Sequence, residues 1–170
     1  MSESKVISPI WRPSPNFSQR TETIKHIILH GTWMADDNSA LERMCSPKAE
    51  VSAHYFINRE GQLFQMVEEE NVAWHAGKSA WKNLIGLNQH SIGIEISNPG
   101  EGLGVPYFDV QYNTLIALLA DILQRYSLPP EAVVGHSHIA PKRKTDPGKH
   151  FNWDILKNAG VAEPEVFCIK

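Results

Sequence analysis

The chain has 170 residues, of which 42% are hydrophobic and 21% are charged, a size and composition typical of one folded domain. Its 16 Lys and Arg residues against 19 Asp and Glu residues give a net charge of −3, which excludes a strongly basic surface for phosphate-rich partners. We therefore expect no nucleic-acid partner. Every apolar stretch is shorter than the ~20 residues that a bilayer-spanning helix needs, so we expect no membrane span.

The first 23 residues are polar and contain three prolines, and we expect them to form an extended arm over the domain. They lack the apolar segment behind a basic start that marks a secretory signal peptide. The two cysteines, Cys45 and Cys168, favour free thiols, with a single bridge between them as the alternative. These features predict a cytoplasmic protein, or a periplasmic one if a leader has been removed from the sequence.

Strand and helix patterns alternate along the rest of the chain. In chain order, the first half predicts a strand over 25–30, a helix capped by Asn38 or Ser39 and ending at Met44, a hairpin over 53–58 and 62–67, and a loop-rich segment over 68–90. The second half predicts a strand over 91–97, a helix over 110–126, a strand over 132–135, a loop over 136–150 and a helix over 152–159.

This order of elements predicts an α/β fold, a single domain with a central mixed β-sheet flanked by helices. We expect the arm to occupy residues 1–23, the domain itself 24–160 and a tail 161–170. In sheets of this kind, ligands bind where strands end in loops. The polar residues that could carry chemistry all fall near predicted strand ends.

Two histidines and one aspartate form a candidate metal site. His30 ends one apolar strand, His136 directly follows another, and Asp146 comes ten residues later in a loop. Two imidazoles and a carboxylate are a ligand set that catalytic zinc accepts, with a fourth position left for water. Taken singly, each residue also fits an ordinary structural role, as a histidine bonded to a backbone carbonyl or as a turn residue before Pro147.

Glu95 and Lys144 are candidate catalytic residues beside this metal site. Glu95 interrupts an isoleucine-rich strand, where a buried unpaired carboxylate is costly, so it either faces solvent or has a polar purpose. Beside a metal it could act as a general base. Lys144 lies two residues from Asp146 and could stabilise an oxyanion, or could simply be a solvated loop charge.

Three further residues are candidates for the substrate-binding surface. Trp74 and His75 lie between small residues in a predicted loop, an arrangement that suits the wall of a sugar or peptide site but also an aromatic plug. His54 fits either the core of the hairpin or the surroundings of the site. We group it with Trp74 and His75 as substrate-binding.

Five segments in this order resemble one enzyme family. They are IILHGT, VSAHYFI, AWHAG, SIGIEI and GHSHIAPKRKTDPG, and with the start SPNF they cover about residues 14–160. The sequence is similar to the zinc-dependent N-acetylmuramoyl-L-alanine amidases, which include the AmpD and AmiD enzymes and are related to phage amidases and peptidoglycan recognition proteins. Its start is most similar to the AmiD branch.

The resemblance implies an amidase that cleaves the bond between N-acetylmuramic acid, or its 1,6-anhydro form, and L-alanine in peptidoglycan. It implies one Zn²⁺ per chain held by His30, His136 and Asp146, with Glu95 and Lys144 as catalytic residues. It also implies that Trp74 and His75 line a groove for muropeptides. We expect a monomer that acts in cell-wall degradation or recycling.

Two other functions fit parts of the pattern. A non-catalytic muropeptide-binding module would not need Glu95 or Lys144. A glycosidase would use a pair of carboxylates, for which Glu95 and Asp109 are conceivable, although the sequence does not fix their separation.

Overall fold

The computed structural model describes residues 8–163, which form ten β-strands and four α-helices. The strands are β1 (Ile10–Trp11), β2 (Phe17–Gln19), β3 (His26–Gly31), β4 (Tyr55–Ile57), β5 (Leu63–Gln65), β6 (Asn71–Ala73), β7 (Ala80–Trp81), β8 (Leu84–Ile85), β9 (Ser91–Ile96) and β10 (Val133–Gly135). The helices are α1 (Asp37–Cys45), α2 (Asp109–Arg125), α3 (His136–Ile139) and α4 (Trp153–Asn158). A 3₁₀ turn, Leu87–His90, directly precedes β9.

Six strands form one mixed sheet in the order β1-β5-β4-β9-β3-β10. The pairs β4–β9, β9–β3 and β3–β10 are parallel, whereas β4 and β5 form the antiparallel hairpin. Two smaller antiparallel pairs, β2–β6 and β7–β8, lie outside this sheet. A mixed sheet flanked by helices confirms the predicted α/β fold class.

The central strands have one apolar face and one polar face. Along β9 three isoleucines alternate with Ser91, Gly93 and Glu95, and successive side chains of a strand point to opposite faces. On the neighbouring strand β3, His26 and His30 lie in register with Ser91 and Glu95 and therefore point to the polar face. The sequence thus separates a packing surface from a surface that can carry a site.

Helices cover both faces of the sheet. Leu115 and Leu119 of α2 and Leu156 of α4 are buried against the isoleucines of the apolar face. Burial of each such side chain contributes about 1.5–3 kcal/mol. On the other face, Leu41 of α1 packs with Phe56 of β4, and Ile28 of β3 packs with Ala76 and Leu87.

The predicted strands, hairpin and helices lie close to their predicted bounds, with three corrections. Asp36, not Asn38 or Ser39, caps α1, because its carboxylate accepts the backbone N–H of Ser39 at 2.8 Å. The segment 68–90, expected to be loop-rich, contains β6, β7 and β8. The predicted loop 136–150 begins with the short helix α3.

The N-terminal segment adds two short strands to the domain. β1 pairs in parallel with β5, and β2 pairs antiparallel with β6. Cys45 is a free thiol. Residues 1–7 of the expected arm, and residues 164–170 of the expected tail with Cys168, lie outside the described residues. The division at residues 23 and 160 stays a prediction.

None of the helices within residues 8–163 is both long enough and apolar enough to cross a lipid bilayer.

Candidate metal centre

His30, His136 and Asp146 meet at the end of two neighbouring parallel strands. His30 lies near the end of β3, and His136 follows Gly135 of β10, whose Cα partner on β3 is Leu29. The loop that carries Asp146 returns to this point, where the Asp146 carbonyl accepts the backbone N–H of Ser137 at 2.9 Å. The sheet thus brings together three residues that are remote in sequence.

The three side chains offer converging ligand atoms. The Nδ1 atoms of His30 and His136 are 2.9 Å apart, and Oδ2 of Asp146 lies 3.3 Å and 3.2 Å from them, respectively. All three residues are buried. A tetrahedral ion with bonds of 2.0–2.1 Å places neighbouring ligand atoms about 3.3 Å apart. The two separations that involve Asp146 match this value, and the separation of the two Nδ1 atoms is shorter.

The orientation of the His136 ring supports a cation at this position. Its Nε2 lies 3.2 Å from the carbonyl oxygen of Ala76, which only accepts, so Nε2 carries the proton and Nδ1 presents a lone pair to the triad. Lone pairs that converge with a carboxylate at about 3 Å repel one another unless a positive charge lies between them. The triad is therefore able to bind a metal ion.

The charge states of the triad also suit a metal. Burial, with the neighbouring His136 as a second cause, lowers the pKa of His30 to about 4, so its ring is neutral at pH 7. Burial alone would raise the pKa of Asp146, but its contacts with His136 and His30 outweigh this effect and hold the pKa well below its usual range. A neutral imidazole and an ionised carboxylate are the forms that bind metals.

A cavity of about 500 Å³ opens over the triad. Glu95, Lys144 and Trp74 line it together with the three candidate ligands, so the structure brings these predicted residues to one place. The indole of Trp74 is half-buried, and its Nε1–H donates to Ser18 Oγ at 3.3 Å. The cavity is large enough for a drug-sized ligand.

Glu95 faces the triad from the adjacent strand. Its Cα is the register partner of His30, and its Oε2 is buried without a hydrogen-bond partner among the described residues. Burial raises the pKa of Glu95 to about 8, with the charge of Asp146 as a second cause, while Lys144 opposes the shift. A carboxyl group with a raised pKa beside a ligand cavity is a typical acid–base catalyst.

Lys144 presents a free ammonium group to the same cavity. Its side chain forms neither an ion pair nor a hydrogen bond within residues 8–163, although it is partly buried. The neighbouring Arg143, in contrast, is hydrogen-bonded: its guanidinium donates to the carbonyls of Ala76 at 2.7 Å and Lys78 at 3.0 Å. Lys144 is thus an available positive charge in the cavity that contains Asp146.

The two other predicted histidines are buried next to the cavity. His75 contributes to the cavity lining but is nine-tenths buried, and its Nδ1 lies 2.9 Å from Nε2 of His30. His54 is completely buried: its Nδ1 accepts the backbone N–H of Gly93, and its Nε2 lies 3.0 Å from the carbonyl of Asn71. This position does not fit the substrate-binding role expected for His54.

Sequence reasoning missed Trp33 and Arg43, which also line the cavity. Trp33 is 38% exposed and has a φ of 48°, in the left-handed region that bulky residues rarely adopt. It follows IILHGT directly, so a search of the loop after the His30 strand could have found it. Arg43 lies in α1, and its place in the cavity lining follows only from the position of that helix on the polar face.

The parallel strand ends, the candidate metal-binding triad and the adjacent carboxyl group define an α/β domain with a candidate metal centre. The chain belongs to the N-acetylmuramoyl-L-alanine amidase family, whose model matches residues 20–149. The resemblance predicted from the sequence motifs is thereby confirmed.

Individual relatives agree with this assignment. N-acetylmuramoyl-L-alanine amidase AmiD of Escherichia coli K12 is 41% identical over 152 residues, which cover 81% of this chain and 54% of that protein. The 1,6-anhydro-N-acetylmuramyl-L-alanine amidase AmpD of Enterobacter cloacae is 41% identical over 103 residues, 61% of this chain and 54% of that protein. The chain therefore spans about half the length of these curated relatives.

A solved structure supports the fold over nearly the whole chain. The crystal structure of an AmpD selenomethionine derivative superimposes with a TM-score of 0.80 at 28% identity, covering 94% of this chain and 98% of that one. The E. coli AmiD complex with anhydro-N-acetylmuramic acid-L-Ala-D-γ-Glu-L-Lys gives a TM-score of 0.76 at 36% identity, covering 89% and 62%. This muropeptide is named as the substrate of the E. coli enzyme.

Proposed function

We propose that the protein is a zinc-dependent amidase that hydrolyses the bond between N-acetylmuramic acid, or its 1,6-anhydro form, and L-alanine of peptidoglycan stem peptides. The observation that carries this proposal is the convergence of His30, His136 and Asp146 with Glu95 on one polar sheet face. Family membership and the substrate named for the E. coli AmiD complex support the choice of bond. The reaction would serve cell-wall degradation or recycling.

Zinc is the metal that the donor set favours. Two neutral imidazoles and one carboxylate are a common ligand set for catalytic zinc, and they leave a coordination position for water or substrate. The opening of the cavity over the triad supports an open rather than a structural site. When bound, Zn²⁺ would supply Lewis-acid polarisation of the scissile carbonyl and of the attacking water.

Glu95 is proposed as the general base. In its ionised form it accepts a proton from the water that attacks the lactyl carbonyl carbon, and it then passes this proton to the alanine nitrogen as the C–N bond breaks. The products are the muramic acid carboxylate and a free stem peptide. Its unpaired Oε2 and its register with His30 support this role, because both place an available carboxyl oxygen beside the triad.

Lys144 is proposed as the residue that stabilises the oxyanion of the tetrahedral intermediate. Lys144 lines the cavity together with Asp146, forms no ion pair or hydrogen bond within residues 8–163, and lowers the pKa of Glu95 through its charge. Removal of one donor that stabilises an oxyanion typically costs about 2.7–4 kcal/mol of transition-state stabilisation. Trp74 is proposed to form part of the wall that contacts the muropeptide.

The test is product analysis with anhydro-N-acetylmuramic acid-L-Ala-D-γ-Glu-L-Lys as substrate. We expect the metal-loaded wild type to release the free peptide, detected by mass spectrometry, and the Asp146→Asn variant to release none. A muropeptide-binding module would bind the compound and leave it intact. A glycosidase would generate new reducing ends from glycan strands, and Asp109, its conceivable second carboxylate, lies at the start of α2 and does not line the cavity.

We further propose that the protein acts as a monomer on muropeptides. Sedimentation at the concentrations used for assays measures this directly. The expected cytoplasmic location stays a prediction, and cell fractionation would test it.

A further inference from the structure

The two candidate histidine ligands are both supported by one short segment, His75–Ala76. The His75 ring contacts His30, and the Ala76 carbonyl contacts His136. Metal-binding histidines usually donate their second N–H to an acceptor that fixes the ring. For His136 that acceptor is an ordinary carbonyl, whereas for His30 it is another imidazole, which has two tautomers of its own.

Ser91 determines which tautomer His75 adopts. The Ser91 hydroxyl lies 2.6 Å from the carbonyl oxygen of Leu87, which only accepts, so the single hydroxyl proton is donated there. Ser91 Oγ lies 3.2 Å from Nε2 of His75 and is left as an acceptor. His75 therefore carries its proton on Nε2 and presents an unprotonated Nδ1.

The tautomer of His75 in turn determines the tautomer of His30. Because His75 Nδ1 accepts, the bond of 2.9 Å between the rings is donated by Nε2 of His30. The lone pair of His30 then lies on Nδ1, the atom that faces His136 and Asp146. If His75 carried its proton on Nδ1 instead, two protons would lie between the rings, or His30 would have to carry its own proton on Nδ1, the atom that faces the triad.

The surrounding sequence holds His75 in this position. The amide oxygen of Asn88 accepts the backbone N–H groups of His75 at 3.1 Å and of Ala76 at 2.7 Å. Gly93 leaves room for the ring, since a Cβ atom at this position would overlap it. Asn88 lies in the 3₁₀ turn before β9, so the turn, Ser91 and Gly93 together build the support.

We propose that His75 is a positioning residue, which together with Ser91 sets the tautomer of His30 and so prepares its Nδ1 for the metal. This inference rests on the proposed metal site. It differs from the role expected from the sequence, because both ring nitrogens of His75 are engaged inside the protein and neither is left to bind substrate.

The experiment measures zinc affinity rather than turnover. Metal-free wild type, His75→Leu, His75→Asn and Ser91→Ala are titrated with zinc in competition with a chromogenic chelator, and with Co²⁺ for its visible absorption spectrum. Loss of such an outer partner typically weakens metal binding 10–100-fold. We expect this loss for His75→Leu, a smaller loss for His75→Asn, whose amide oxygen can accept in place of Nδ1, and an altered Co²⁺ spectrum for Ser91→Ala.

His26→Gln is the matched control. His26 is a buried histidine of the same strand as His30 and the register partner of Ser91, but it contacts the carbonyl of Ala132 instead of the triad. We expect it to lower thermal stability and to leave zinc affinity unchanged.

The outcomes separate the inference from the proposed function. If the wild type binds zinc and both His75→Leu and Ser91→Ala bind it with wild-type affinity and spectrum, the positioning role is wrong while the proposed function stands. If the wild type binds no zinc, both are overturned. If His75→Leu does not fold, the comparison of His75→Asn and Ser91→Ala with His26→Gln decides the question.

Discussion

His30 and Glu95 are register partners on the parallel strands β3 and β9, so their side chains leave the same face of the sheet one strand apart. A candidate metal ligand and a candidate base are therefore held by two internal strands of the six-stranded sheet. Sites built on strands keep their geometry better than sites built on loops. This relationship makes the roles of the two residues separable by experiment.

Substitution of Glu95 by Gln should abolish most turnover while leaving zinc and muropeptide binding intact. The amide keeps the shape of the side chain but cannot accept a proton from water, and general-base catalysis contributes about 10²–10⁴-fold. Steady-state kinetics with parallel zinc analysis measures both properties. Glu60→Gln, at an exposed turn, is the control and should retain wild-type activity. Wild-type turnover in Glu95→Gln would assign the base to another residue.

Substitution of Lys144 by Met should lower kcat by about 10²–10³-fold with little change in KM, because the ammonium group is proposed to act on charge that develops in the transition state. Lys142→Met removes an exposed charge two residues away and should have little effect. Equal losses in the two variants would indicate that Lys144 contributes only to the general electrostatic field.

The sequence revealed the strands and the polar residues at their ends, but it did not show which of them meet. His30 and His136 are separated by 106 positions, and only the adjacency of β3 and β10 brings them to 2.9 Å. The family resemblance supplied this pairing where periodicity could not. The surroundings of His54 and His75 could not be predicted from their local sequences, because they depend on contacts with other segments, such as Asn71 for His54 and Ser91 for His75.

Substitution of Gly93 by Ala should destabilise the protein and weaken zinc binding together. The new Cβ atom would overlap the His75 ring and displace it, and overpacking of this kind typically costs about 1–3 kcal/mol. Chemical denaturation and zinc competition measure the two effects. Gly102→Ala is the matched control, since a Cβ atom there meets nothing within 4 Å. A Gly93→Ala protein with wild-type stability and affinity would contradict the described packing.

The free energy of unfolding should fall as the pH drops from about 6.5 to about 4, partly because His54 resists protonation in the folded protein. Burial lowers the pKa of His54 to about 4, so the unfolded chain binds a proton more readily than the folded one within this window. The difference from the ordinary value of 6.5 corresponds to about 3 kcal/mol. Denaturation of His54→Asn across this range should show a shallower pH dependence. An unchanged slope would mean that His54 does not contribute to it.

The central claim is that one divalent ion at His30, His136 and Asp146 enables amide hydrolysis, and a zinc titration of the metal-free protein tests it most directly. Bound zinc and released stem peptide are measured in the same samples. We predict that peptide release rises in proportion to bound zinc up to one equivalent per chain and then stays constant, and that His136→Ala shows neither signal. Full peptide release by the metal-free protein, or none at zinc saturation, would contradict the account.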